Sequence, residues 1–193
     1  MAQKKFLKKK IIPFDPLRAR TVNDMVSTLA TCSFQARNLA YALDVWEAMC
    51  RDKKCFRVIS LAGAMVPGGM ALLVSRLIEK KLVHAVVCTG ATIAHDLCNA
   101  VASNDQAHYL GSEWEDDLAL RAAKINRIYD TYLGEEAFER AETTMARLLP
   151  KIKFDQVEQN VRTITTSSFT KQLGSMLHGH SILTAAARNG VHI

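Results

Sequence analysis

The chain has 193 residues, 49% of them hydrophobic and 23% charged, with a net charge of +6; that is room for one domain with a real core, at an ordinary globular composition. No apolar run approaches the roughly 20 residues of a membrane span, and the start MAQKKFLKKKIIPFDP lacks the apolar stretch and small-residue cleavage site of a secretion signal. Cys32, Cys50, Cys55, Cys88 and Cys98 show no CxxC spacing, which points to neither a zinc site nor a disulfide framework and leads us to expect reduced thiols in a cytoplasm.

The basicity is local. Lys4, Lys5, Lys8, Lys9, Lys10, Arg18 and Arg20 against Asp15 place the whole net charge in residues 1–20, and the rest of the chain balances acid against base. Residues 1–20 read as a basic arm: a solvated tail, or an attractor of phosphates or of an acidic partner. The body has no basic face, so nucleic acid is not an expected partner. Pro13 and Pro16 keep residues 11–17 out of a helix.

TVNDMVSTLATCS puts Val22, Met25, Leu29 and Cys32 on one side of a helix, with Thr21 as its N-cap. FQARNLAYALDVWEAMCRD repeats Leu39, Leu43, Trp46 and Met49 or Cys50 at helical spacing, and the polar RDKKC ends it. FRVISLA (56–62) is a β-branched, apolar run that predicts a strand buried on both sheet faces. The turn GAMVPGG follows, then a helix over MALLVSRLIEKK (70–81). LVHAVVCTG (82–90) predicts a second buried strand closed by Gly90, and ATIAHDLCNAVAS another helix. This order is that of a βαβ unit in a parallel sheet.

Residues 105–120 read as a polar loop with a carboxylate cluster, Glu113, Glu115, Asp116 and Asp117; residues 125–133 as a strand or an irregular segment. GEEAFERAETTMARLLP is a helix, acidic at its start, basic near its end and closed by Pro150. Residues 168–178 and 180–189 are two short helical patterns, the second capped by Ser181, and NGVHI reads as a turn into a new strand. An ending at the start of a buried strand predicts an incomplete chain. The expected fold is α/β, a Rossmann-like parallel sheet with flanking helices, truncated at the C-terminus.

In such a sheet, ligands bind beyond the carboxyl ends of the strands. Both expected ends are glycine turns, Gly63 to Gly69 and Thr89 to Ala91, each feeding a helix whose first amides can donate to an anion. The spacing matches neither the phosphate-binding P-loop nor the dinucleotide fingerprint. On the residues alone, a tight strand-to-helix turn and a cofactor or nucleotide pocket both stand. His95 and Asp96 lie early in the helix after the second turn. Asp96 is accounted for by the helix dipole, and His95 is either structural or a hydrogen-bonding proton carrier. The cluster from Glu113 to Asp117 is a solvated loop or a counter-charge for a cation. His178 and His180 lack nearby carboxylate or thiol partners, so no metal is expected.

Several segments together resemble the deoxyhypusine synthase family: SFQARNLAYALDVWEAM, LAGAMVPGGM, LIEKKLVHAVVCTGATIAHDL, HYLG, INRIYDTYL and SILTAAARNGV. They occur in family order over most of residues 20–193, and TGATIAHDL and INRIYD are closer to the archaeal and bacterial branch than to the eukaryotic one. The resemblance implies a single NAD-binding domain over residues 21–193, present in its N-terminal part. It also implies an NAD-dependent aminobutyl transferase. NAD takes a hydride from spermidine, diaminopropane leaves, and the remaining imine passes through an enzyme lysine to a lysine of a translation factor before the hydride returns. In the bacterial branch a small amine such as putrescine can be the acceptor, giving homospermidine. The family forms homotetramers with sites shared across an interface, and its N-terminal extension can cover a neighbour's site.

Carried across by position, the resemblance assigns cofactor contacts to Gly63, Ala64, Met65, Val66, Pro67, Thr89, Gly90, Ala91 and His95, and substrate contacts to Ala94, His95 and Asp96. Ala94 and His95 stand where the eukaryotic branch has paired glutamates, and Asp96 matches a family aspartate. The family's nucleophilic lysine falls beyond Ile193. Two further readings follow: a second polypeptide supplies the missing half, or the chain is a non-catalytic NAD-binding subunit supporting a complete paralogue.

Overall fold

Thr21 starts its helix as the sequence promises. Its hydroxyl accepts the Asp24 N–H at 3.0 Å while the Asp24 carboxylate accepts the Thr21 N–H at 3.1 Å, a reciprocal capping box. The computed structural model describes residues 6–102, 104, 106–158 and 161–193, with the side chains of residues 157 and 158 left aside. Helix α1 (Val22–Thr28) is shorter than the expected run to Cys32, because Leu29–Thr31 tightens into a 3-10 turn. The Thr28 hydroxyl donates back to the Asp24 and Met25 carbonyls, and Thr31 does the same to Thr28; such side-chain bonds compete with the helical ladder. Helix α2 (Phe34–Arg51) follows as expected. Of the basic arm, Lys4 and Lys5 lie outside the described residues, while Ile12 exchanges bonds with Thr31, N–H to carbonyl and carbonyl from hydroxyl, both at 3.2 Å. These elements belong to the first of two compact units, Met1–Cys55.

The second unit, Phe56–Ile193, opens with β1 (Val58–Leu61), α3 (Ala71–Glu79) and β2 (Ala85–Cys88). The strands pair in parallel, Val58 opposite Ala85 and Leu61 opposite Cys88. The expectation of burial on both faces fails: Val58 is 48% and Val87 58% exposed. Among the described residues the sheet has two strands, extended by a single parallel bridge from Ala85 to His192, fewer than the doubly wound sheet in which strands are buried on both faces. Arg57 ties the unit together from its start. Its guanidinium donates to the Leu82 and Lys81 carbonyls at 2.7 and 3.0 Å, and its N–H donates to His84 Nδ1 at 3.0 Å.

Beyond β2 the parallel pattern stops. Gly90 is the first residue of helix α4 (Gly90–Val101) rather than the close of a strand. The segment read as a loop holds β3 (His108–Leu110) and α5 (Asp117–Ala122). Asp116 caps α5 by accepting the Leu118 N–H at 3.0 Å, and Asp117 receives both arms of Arg127 at 2.8 and 3.0 Å. With Glu115 accepting the Asp116 N–H at 3.4 Å, three of the four clustered carboxylates have structural partners. Residues 125–133 resolve into a hairpin, β4 (Ile125–Ile128) and β5 (Thr131–Gly134), and the antiparallel order is β3–β5–β4. Helix α6 (Glu135–Leu148) is as expected. A small hairpin of β6 (Gln156–Glu158) and β7 (Val161–Thr163) precedes α7 (Thr166–Met176) and α8 (Ile182–Asn189), the latter capped by Ser181. The chain is thus mixed α/β with small sheets, and the expected Rossmann-like parallel sheet is confined to β1, β2 and the His192 bridge. Leu97, Leu133, Ala137, Leu148, Leu173 and Leu183 form a core that joins α4, β5, α6, α7 and α8. No helix among the described residues is long and apolar enough to cross a membrane.

Candidate functional site

Because Leu61 stands opposite Cys88, the two parallel strands end side by side and both glycine turns leave the same sheet edge. In the first turn Gly63 and Gly69 adopt φ of +68° and +83°, a backbone conformation that side-chain-bearing residues rarely take. Gly68 and Met70 N–H groups donate to the Ala64 and Met65 carbonyls at 2.8 and 3.0 Å and close the loop on itself. Val66 and Pro67 are buried and root the turn, while Gly63, Ala64 and Met65 are exposed. At the second turn the Thr89 hydroxyl accepts the Thr92 N–H at 3.3 Å and caps α4. Thr89, Gly90, Ala91 and Ala94 are exposed. A Cβ placed on Gly63, Gly69 or Gly90 would meet nothing within 4 Å, so both turns border open space.

His95 lies i+4 from Ala91 on α4 and is half-buried. Its Nδ1 is 3.0 Å from His108 Nε2, and His108 Nδ1 is 3.0 Å from Asn99 Oδ1, which also accepts the Ala107 N–H at 3.0 Å. Burial lowers the pKa of both histidines; for His108, with the neighbouring His95 charge adding to it, the value falls to about 4. In the unfolded chain His108 titrates near its ordinary value, so between that value and about 4 the unfolded state holds the extra proton. Its contribution to stability is full above the unfolded pKa and is lost as pH falls through about 4. Lowering the pH from 7 to 4 is expected to remove about 1–2 kcal/mol more stability from the natural protein than from His108→Phe, read by urea unfolding at each pH.

Asp96, the next residue, faces the other way. It is fully buried, and its two carboxylate oxygens accept the Ile182 and Leu183 N–H groups at 2.9 Å each. Burial pushes its carboxyl up, opposed by these two bonds, by Ser181 and by the charge of His180. The helix terminus it serves is that of α8, not its own. Asp96 exposes no surface to a ligand within this chain.

A separate cleft of about 470 Å³ lies behind the first turn, lined by Val66, Gly69, Ser75, Arg76, Asn99 and His180 among others. Ser75 Oγ and His180 Nε2 are buried without a hydrogen-bond partner among the described residues, although Glu79 lies 3.7 Å from the histidine. Asn99, His108 and Ser75 escaped the sequence reading. The i,i+4 spacing of His95 and Asn99 was the available signal; His108 sat in a stretch read as loop.

Comparison with known proteins gives a consistent result. The deoxyhypusine synthase family model matches residues 24–193. The deoxyhypusine synthase-like protein of Chlorobaculum parvum is 32% identical over 170 residues, 88% of this chain and 47% of that protein. The probable deoxyhypusine synthase of Methanosarcina thermophila is 33% identical over 174 residues, 90% of this chain and 52% of that protein. The chain spans about half the length of these curated relatives. A solved structure from Entamoeba histolytica, described as a deoxyhypusine synthase, superposes with a TM-score of 0.63 at 17% identity, covering 95% of this chain and 63% of that one, which is a likeness of fold. A match over nearly the whole chain, with relatives above 30% identity, places this chain in the deoxyhypusine synthase family.

Proposed function

We propose that the protein uses NAD to transfer the aminobutyl group of spermidine to an acceptor amine, as in deoxyhypusine synthesis. The observation that carries this reading is the pair of open glycine turns at adjacent strand ends, on a chain that matches the family over residues 24–193. The residues fit a nicotinamide dinucleotide: the space a Cβ would fill at Gly63, Gly69 and Gly90 is open, and the first amides of α4 suit a phosphate. When bound, that cofactor supplies a hydride acceptor for the carbon beside a spermidine nitrogen. Gly63, Ala64 and Met65 present backbone to it, and Val66 and Pro67 hold the turn from beneath. Thr89, Gly90 and Ala91 complete its cradle. Ala94 leaves room for the polyamine next to His95, and Asp96 contributes by fixing α4.

On the family resemblance, the nucleophilic lysine falls outside residues 1–193, so transfer draws on residues beyond these, in the same polypeptide or in another. A homotetramer of paired subunits belongs to the same proposal. The test is release of diaminopropane from spermidine by the purified protein with all co-purifying chains, with and without NAD. Release only with NAD is expected, and NAD-independent release would overturn the reading. Supplying a translation-factor lysine or putrescine then separates deoxyhypusine from homospermidine formation. Release only after a complete paralogue is added would make the chain a supporting subunit.

A further inference from the structure

The bonds around His95 determine where its protons sit. The Ala107 backbone N–H can only donate, so the Asn99 side-chain atom 3.0 Å from it is the amide oxygen. That same oxygen lies 3.0 Å from His108 Nδ1, and since an amide oxygen has no proton to give, Nδ1 carries one. His108 is 6% exposed and neutral at pH 7, so its second nitrogen, Nε2, presents a lone pair. Only a donor satisfies a buried lone pair. The atom there, 3.0 Å away, is His95 Nδ1, which therefore bears a hydrogen. In the neutral His95 ring the remaining nitrogen, Nε2, is then the one with the free lone pair, and it makes no hydrogen bond among the described residues. The Phe138 ring, tilted against His95 with centroids 5.8 Å apart, seats the imidazole from a further side.

We infer that Asn99 and His108 are positioning residues that hold His95 in its Nδ1–H tautomer, and that His95 Nε2 accepts a proton from a ligand amine bound beside Ala91 and Ala94. The inference rests on the reading given under Proposed function. A lone-pair nitrogen selects ligands that offer N–H, such as an ammonium group, over carboxylates and phosphates. An aliphatic amine is protonated at neutral pH, and a carbon beside an ammonium nitrogen does not release hydride because that nitrogen has no electron pair to share. In the proposed step the ammonium N–H bond breaks and its proton bonds to His95 Nε2, leaving a neutral amine and an imidazolium. The amine's electron pair then forms the C=N bond as the adjacent C–H pair leaves as hydride. The amine is oxidised by two electrons and the nicotinamide reduced by two. The imidazolium keeps its Nδ1–H on His108 Nε2, so the new charge forms against an acceptor already in place.

The test has two arms on the same NAD-dependent, spermidine-cleaving preparation. Long-range proton–nitrogen correlation on protein labelled with nitrogen-15 histidine should show His95 with a protonated Nδ1 and a bare Nε2. Asn99→Asp, which keeps an acceptor for both donors, should retain that pattern, while Asn99→Ala and His108→Phe should mix the tautomers. A His95 protonated at Nε2 alone in the natural protein would overturn the assignment. In the kinetic arm, His95→Gln keeps a donor toward His108 but has no basic nitrogen; kcat for diaminopropane release should fall about 100-fold or more. His108→Phe should lower kcat about tenfold with little change in the KM for spermidine. Unchanged kcat in His95→Gln would overturn the proton transfer even with the tautomer as drawn. No turnover in the natural protein would remove the parent reading and the proton transfer with it, and the spectra would still decide the tautomer.

Discussion

Replacing Asp96 by alanine is expected to cost about 4 kcal/mol, because it strips the acceptor from two buried N–H groups at once. The start of α8 is fully provided for in the natural protein. Ile182 and Leu183 N–H groups donate to Asp96 and the Thr184 N–H donates to Ser181 Oγ, at 2.9, 2.9 and 3.1 Å. These are the first three amides of the helix, which have no partner within it. Alanine leaves two of them without that acceptor in a site that is fully buried. Asp96→Asn is expected to cost about half as much, since its oxygen still accepts one bond while its amide hydrogens face the other N–H. Denaturant unfolding followed by circular dichroism measures both. A loss below about 1 kcal/mol for alanine would mean that the carboxylate does not hold α8.

Gly174→Ala is the second large effect, about 3 kcal/mol of destabilisation. A Cβ on Gly174 would lie 2.2 Å from the Leu183 carbonyl oxygen, 2.8 Å from its carbon and 3.0 Å from Ala187 Cβ. Helices α7 and α8 pack against each other at this point, and the obstacle is backbone, which yields only if the helices separate. Gly134→Ala is the control: its nearest neighbours are the carboxylate atoms of Glu136, the far end of a flexible side chain that can rotate away. Thermal unfolding should therefore show a large loss for the first substitution and a small one for the second. Equal losses would refute the close-packing account.

What could be read from the sequence was mostly local chemistry. Thr21 and Ser181 announced their helices because a capping hydroxyl and its target amide lie three residues apart. The strand–turn–helix–strand order was visible for the same reason, and so were both turns bordering the candidate site. The rest depends on partners far along the chain. Strand β3 has three residues, and its pairing with β5 sets His108 opposite Leu133, which no local pattern announces. Helix α5 is six residues long and hangs on the Asp116 cap and the grip of Arg127 on Asp117. The β-branched run 56–62 looked covered on both sides, yet its cover depends on how many strands and helices share the sheet. The position of Asp96 points to its own helix, whereas its carboxylate serves amides 86 and 87 residues away.

That last separation bears on the order in which the molecule can be made. On the ribosome, Asp96 emerges long before Ile182 and Leu183, and contacts of such sequence distance form late. Until α8 arrives, the Asp96 carboxylate has to stay hydrated, and α4 cannot settle with that side inward. The ledge formed by Gly90, Ala91, Ala94 and His95 lies along a different side of the same helix. Its final placement therefore waits for nearly the whole nascent chain, and a polypeptide released before residue 183 would carry every residue of that ledge without the clamp that sets it.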